Sequence, residues 1–213
     1  MITHIQASGP LKTNSILIVC PNTNQAAVID PSPTSCPKLQ TLLESNRWIL
    51  TQILLTHSHW DHIADIGSWK KLYPNLKVYV HNEDLGNVVS PGSDGIPLPF
   101  PISSNQANVL IKDGDRIKIG NLEALVIHTP GHSPGSVCYH FKTQNALLSG
   151  DTLFKGTIGS LSLSTGEPHR MWNSLEKLSQ LPLETVVYPG HGPQTLIAKE
   201  VEMLRHAKEL FDN

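Results

Sequence analysis

The sequence predicts a mixed α/β fold in which two β-sheets pack together with helices outside each. Three observations predict it. Short runs of β-branched and aliphatic residues, bounded by Gly, Pro, Asn and Asp, read as strands. Strands followed by a helix occur twice along the chain, on either side of a Pro-, Gly- and Ser-rich middle. Finally, 213 residues with 39% hydrophobic and 16% charged content suit one well-buried domain over residues 1–213.

The elements follow in order. Residues 14–20 and 25–30 are apolar runs separated by Pro21-Asn22-Thr23-Asn24, a turn composition, and read as a hairpin. Pro37 opens a short helix through Gln40 to Ser45, with Leu39, Leu42 and Leu43 on one face. The run from Trp48 to Leu55 is a buried strand. Ile63, Ile66, Trp69 and Leu72 then recur at near-helical spacing until Pro74 stops the helix, and residues 77–80 make another strand. Residues 91–108 form a loop over the surface, bordering a site. Residues 109–111, 116–119 and 122–128, divided by Asp113-Gly114-Asp115 and Gly120-Asn121, predict an antiparallel meander, which 136–141 and 146–149 extend. A helix around Leu175 ends near Pro182, and residues 185–188 are a further strand. From Gln194 to Phe211 an amphipathic helix closes the chain. It carries Ile197, Val201, Leu204 and Phe211 on one face and leaves Lys199, Glu200, Glu202 and Lys208 for solvent.

Composition excludes some functions. The formal net charge is -2 without a run of Lys or Arg, which argues against a nucleic-acid partner. Three scattered cysteines, Cys20, Cys36 and Cys138, lack CxxC spacing and read as buried small hydrophobes in a reducing compartment. The amino terminus has neither a basic start nor a secretory apolar core, and no apolar run reaches membrane-spanning length. A cytoplasmic protein without a membrane partner is expected.

The chemistry concentrates at strand ends. His57, His59, Asp61 and His62 follow the Trp48 strand within six residues. Residues two apart in an extended segment point the same way, so His57 and His59 can grip one ion, while Asp61 and His62 suit a second ion beside it. Three more strand ends offer ligands: His132 in Thr129-Pro130-Gly131-His132, Asp151 after Ser149-Gly150, and His191 in Pro189-Gly190-His191. His57, His59 and His132 then make one set, Asp61, His62 and His191 a second, and Asp151 can bridge the two ions. Of the remaining six of the 11 histidines, His4, His81, His140, His169 and His206 read as surface or satisfied-core residues, since none lies in a cluster. His128 alone could line the site or support it.

With HxHxDH at 57–62, TPGHSPGS at 129–136, GD at 150–151 and PGHGP at 189–193, the chain resembles the metallo-β-lactamase superfamily. Residues 149–154 and 189–193 are similar to the glyoxalase II group, the hydroxyacylglutathione hydrolases. The resemblance implies a four-layer αββα sandwich with metals at one edge and hydrolysis of a small-molecule thioester such as S-lactoylglutathione. Two divalent ions are implied, zinc first, with iron or manganese also compatible with nitrogen and oxygen ligands. A metal-bridging hydroxide would attack, with Asp61 and Asp151 as the catalytic carboxylates. The alternative is a mononuclear iron persulfide dioxygenase built on His57, His132 and Asp151; lactone or phosphodiester hydrolysis ranks below both. Two departures stand out. Longer glyoxalase II enzymes carry a helical carboxy-terminal domain that holds glutathione, whereas this chain stops at Asn213, so a weaker hold on glutathione is expected. The Gly-Arg that usually follows in the family is Gly159-Ser160 here, which predicts altered substrate contacts.

Overall fold

A computed structural model describes residues 1–211, with the side chain of Phe211 outside the description. Two six-stranded sheets face each other. In the first, β1 (Ile2–Ser8), β2 (Thr13–Val19) and β3 (Gln25–Ile29) run antiparallel. Next, β4 (Ile49–Leu54), β5 (Lys77–His81) and β6 (Val109–Ile111) continue parallel to β3. In the second, β7 (Arg116–Ile119), β8 (Leu122–His128), β9 (Val137–Phe141) and β10 (Ala146–Gly150) form an antiparallel series. A small hairpin, β11 (Leu153–Phe154) with β12 (Thr157–Ile158), leaves β10. The strand β13 (Val186–Pro189) then returns parallel to β10, and β14 (Thr195–Leu196) closes the sheet.

Strand periodicity of two explains the four layers. On β2, Ile16 and Ile18 point between the sheets and meet Ile117, Ile119, Tyr139 and Leu148 from the second sheet. Leu17 and Val19 alternate outwards, where α1 (Cys36–Asn46) and α3 (Ile66–Leu72) cover them with Leu39, Leu43 and Trp69. The second sheet mirrors this. Cys138, Leu147 and Val187 face α5 (Pro168–Ser179) and α6 (Ile197–Phe211), packed by Leu175, Leu178, Ile197 and Leu204. The layers are therefore helix, sheet, sheet, helix, as the sequence predicts.

Several expectations change. The meander begins one strand later. β6 pairs with β5 in the first sheet, and Asp113-Gly114-Asp115 carries the chain across to the second, with Gly114 N and Asp115 O already bonded to Val126. The helix after the ligand cluster is broken into α2 (Trp60–Ile63) and α3, because the Asp65 amide donates to Pro31 O (2.9 Å) instead of to the preceding turn, while its carboxylate accepts from Cys36 N. Glu200 is buried, not solvated: its carboxylate accepts from Gly156 N (2.9 Å) and Thr195 Oγ1 (2.6 Å), tying α6 to the loop after β11. The strands β1 and β14 and the short helix α4 (Leu85–Val89) have no counterpart in the sequence reading. All three cysteines are buried and free. Among the described residues, no helix is long and apolar enough to cross a membrane.

Strand direction places the site. β3 and β4 are parallel, as are β10 and β13, and β8 runs in the same sense as β10 because two antiparallel pairings separate them. Asp30, His57, His132, Asp151 and His191 all lie just beyond the carboxyl ends of these strands, where an α/β sheet presents its loops to a ligand. Backbone bonds lock the two edges together, from Val137 N to Thr56 O (2.8 Å) and from Asn14 N to Gly190 O (2.7 Å).

Candidate metal centre

All seven ligand candidates meet in one cluster. Single ligand atoms of His57, His59 and His132 lie within 4.8 Å of one another, as do those of Asp61, His62 and His191, and those of His57, His62 and Asp151. These are the two sets read from the sequence, with Asp151 between them. Its carboxylate stands 3.5 Å from Nε2 of His132, 3.5 Å from Nε2 of His62 and 3.4 Å from Nε2 of His191. Asp61 lies 3.3 Å from Nε2 of both His62 and His191, and Thr13 Oγ1 donates to it at 2.5 Å.

Each imidazole has one nitrogen committed to a partner, and the partner decides where the proton sits. Carbonyl oxygens only accept, so His132 Nδ1–H donates to Ser160 O (2.8 Å) and His191 Nδ1–H to Leu11 O (3.1 Å). His62 Nδ1–H donates to the Asp30 carboxylate (3.0 Å). Thr56 Oγ1 donates to Asp30 (2.6 Å) and therefore accepts from His57 Nδ1–H (3.1 Å). Thr165 Oγ1 donates to His132 O (2.9 Å) and therefore accepts from His59 Nε2–H (2.9 Å). The uncommitted nitrogens are Nδ1 of His59 and Nε2 of the other four. Nε2 of His57, His62 and His132 and Oδ1 of Asp151 are buried without a hydrogen-bond partner. An orphaned buried polar atom costs about 1–3 kcal/mol, so four in one cluster, all electron-pair donors, fit divalent cations.

The electrostatics agree. Burial, then the neighbouring imidazoles His62, His59 and His132, push His57 well below its ordinary value; burial with His132 and His62 pushes His59 to about 3. Burial alone would raise Asp61 and Asp151, but His62 and the hydrogen bond from His191 reverse this and hold both carboxylates low. Burial likewise opposes charge on His62 and His191. The surrounding carboxylates prevail, raising His62 well above the usual range and His191 to about 9. Without a metal, protons on His62 and His191 thus balance the carboxylates, a role that a bound cation would take over.

Sequence reasoning missed the residues that aim the ligands. Asp30, Thr56, Thr13 and Thr165 were not singled out, nor was Asp84. Asp84 is buried and accepts from Ser58 N (2.7 Å), Gly135 N (2.6 Å) and Ser133 Oγ (2.9 Å), so it clamps the loop of His57 and His59 to the loop of His132. Asp30, an acid between an apolar strand and Pro31, carried a faint signal; Asp84 carried none. Gly190 is required by close approach: a β-carbon there would sit 2.1 Å from Asp151 Oδ1 and 2.8 Å from His62 Cε1.

Two further histidines pair, His81 as a satisfied buried residue and His128 in the supporting role that the sequence allows. His81 and His128 are not isolated; their rings stack 4.0 Å apart at 17°, near Glu83. In-plane lone pairs of near-parallel rings do not converge, and Glu83 is engaged by Arg170 (3.1 Å). His128 Nε2–H donates to Pro134 O (2.9 Å), so this residue supports the loop of His132 without entering the cluster. Trp60 packs, with its ring edge-on to Phe100 from the 91–108 loop.

The sequence profile described as the metallo-beta-lactamase superfamily matches residues 8–191. The chain is 32% identical to a probable metallo-hydrolase, YqgX, of Bacillus subtilis, over 90% of each chain. It is 38% identical to a hydroxyacylglutathione hydrolase of Rhodospirillum rubrum, over 85% of this chain but 63% of that enzyme's length. Among solved structures it is similar to BLEG-1, described as a B3 metallo-beta-lactamase, with a TM-score of 0.87 and 31% identity over 94% of this chain and 97% of that one. TTHA1623, solved in a di-iron-bound form, is similar with a TM-score of 0.80 and 33% identity over 92% and 96% of the two chains. With the fold, the strand-end ligands and these matches in agreement, the chain belongs to the metallo-beta-lactamase superfamily.

Proposed function

We propose that this protein is a two-metal hydrolase of small-molecule thioesters, in the manner of the glyoxalase II group. The observation that carries the reading is the gathering of five imidazoles and two buried carboxylates into overlapping ligand sets, with Nε2 of His57, His62 and His132 and Oδ1 of Asp151 left without a hydrogen-bond partner. His57, His59 and His132 would hold one cation, Asp61, His62 and His191 the other, and Asp151 would reach both. Zinc suits this nitrogen and oxygen set, as do iron and manganese. When bound, such a pair of ions supplies a hydroxide-like nucleophile near neutral pH and polarises the scissile carbonyl.

The chain's own groups do the rest. Thr13 pins one oxygen of Asp61, so the carboxylate is held in place to orient a water. His191 is the most exposed ligand, with its side chain 25% accessible, so substrate approaches from its side. The Phe154 ring stands edge-on 5.9 Å from the His191 ring, and the Leu11 carbonyl holds that imidazole, so both residues border the approach. The three cysteines lie in the apolar clusters, which leaves them no part in the attack.

The test is turnover of S-lactoylglutathione and shorter acyl thioesters under anaerobic conditions, with a β-lactam as control because of the similarity to BLEG-1. Oxygen-independent thioester cleavage is expected. Oxygen uptake with glutathione persulfide and no thioester turnover would assign the site to a dioxygenase instead.

A further inference from the structure

We propose that Thr165 is a positioning residue that sets the tautomer of His59 and couples it to His132, so that it governs the first cation position without touching the second. The proposal rests on the two-metal reading above. Thr165 stands outside the ligand motifs, on the loop between β12 and α5. Its hydroxyl proton is committed to the carbonyl of His132 at 2.9 Å, which leaves only its lone pairs for His59 Nε2 at 2.9 Å. His59 must then carry its proton on Nε2 and offer Nδ1, the opposite of the other four imidazoles. A hydroxyl can do this because it donates and accepts at once; a methyl of the same shape can do neither.

The loop is itself fixed. Ser160 O accepts from His132 Nδ1 (2.8 Å), Ser164 Oγ donates to Asp94 O (2.7 Å), and Glu167 N donates to Gly131 O (2.7 Å). One strap therefore orients two ligands of the first set. The ligands of the second set take their orientation elsewhere, His62 from Asp30 and His191 from Leu11. This separation makes the role distinguishable from general scaffolding.

The experiment compares wild type, Thr165→Val and Thr165→Ser. Histidine-selective proton–nitrogen NMR of the metal-free protein reads the tautomers, and zinc titration against a chelator reads both affinities. Wild type should show His59 as the Nε2–H tautomer and bind two zinc ions. In Thr165→Val, His59 should become a tautomer mixture and the first affinity should fall on the order of 10- to 100-fold, the usual effect of losing an outer partner of a ligand, while the second stays unchanged. Thr165→Ser should restore both signals. An unaltered His59 tautomer in the valine variant, or equal loss at both positions, would overturn the proposal. Failure of wild type to bind two ions would instead overturn the two-metal reading.

Discussion

Asp30→Asn is the sharpest single test of how the site is held. The carboxylate accepts from Thr56 N (2.7 Å) and Thr56 Oγ1 (2.6 Å) and from His62 Nδ1 (3.0 Å), fully buried beneath both ligand sets. An amide has one acceptor oxygen. If it faces Thr56 N, its NH2 confronts the His62 Nδ1–H, and the Thr56 hydroxyl must turn to accept while it also receives His57 Nδ1–H. The opposite orientation sets the NH2 against the Thr56 amide. Either way one charge-assisted bond becomes a donor–donor clash and the others lose their charge. With about 1.5–3 kcal/mol for a bond to a charged group, the cost is about 3 kcal/mol. For a chain of this size that lowers Tm by roughly 6–12 °C. The site should suffer separately: His62 relieves the clash by giving up its Nδ1 proton and keeping the one on Nε2, the atom needed for the cation, so zinc affinity at the second position should fall on the order of 10- to 100-fold. Thermal unfolding in excess chelator gives the first effect and zinc competition the second. A variant that melts within about 2 °C of wild type, a shift near 1 kcal/mol or less, and keeps both affinities would refute the tautomer argument.

Asp84→Ala strands the amides of Ser58 and Gly135 in a buried setting, each worth about 1–3 kcal/mol, so urea midpoints should drop clearly; an unchanged midpoint would show that the clamp between the two ligand loops carries no load. Asp61→Asn and His59→Asn should each abolish most turnover in a folded protein, the first by weakening the second cation position and the second by weakening the first. An Asp61→Asn protein with full metal content and near-normal thioester hydrolysis would show that the second position does no chemistry. Metal uptake should release protons at neutral pH. Burial disfavours a charged His191, yet its bonds to Asp151 and Asp61 raise it to about 9, and His62 shifts the same way, so a cation must displace these protons. Apparent affinity therefore falls as pH falls, and calorimetry in buffers of different ionisation heat should count the protons; a heat independent of buffer would contradict it.

What the sequence discloses about this fold follows from how local each signal is. The pairs β2/β3 and β7/β8 are legible because turn residues separate strands that pair with their chain neighbours. The β6 strand is not, because Asp113-Gly114-Asp115 announces a bend and says nothing about which sheet the chain is leaving. The three-residue strand, with Leu110 52% exposed, has too little pattern to decide. Glu200 shows the same limit on a helix. Its place on α6 looks solvent-facing by periodicity, and the loop carrying Gly156 together with Thr195 turns that position into a buried one.

The ligands were legible for a further reason: each is tied to a recognisable strand end, and parallel strands bring such ends to one side whatever the details of packing. The groups that aim them have no such address. Two of the five imidazoles take their orientation from the backbone carbonyls of Leu11 and Ser160, which every residue type supplies, so no side-chain pattern can reveal them. This recasts the departure at Ser160. Replacement of the family's usual arginine was expected to change substrate contacts, yet the same residue holds His132 through its carbonyl, and its hydroxyl braces the loop through Ser162 Oγ (2.9 Å) and Ser162 N (3.3 Å). Loop geometry can therefore keep His132 oriented while the outward side chain varies.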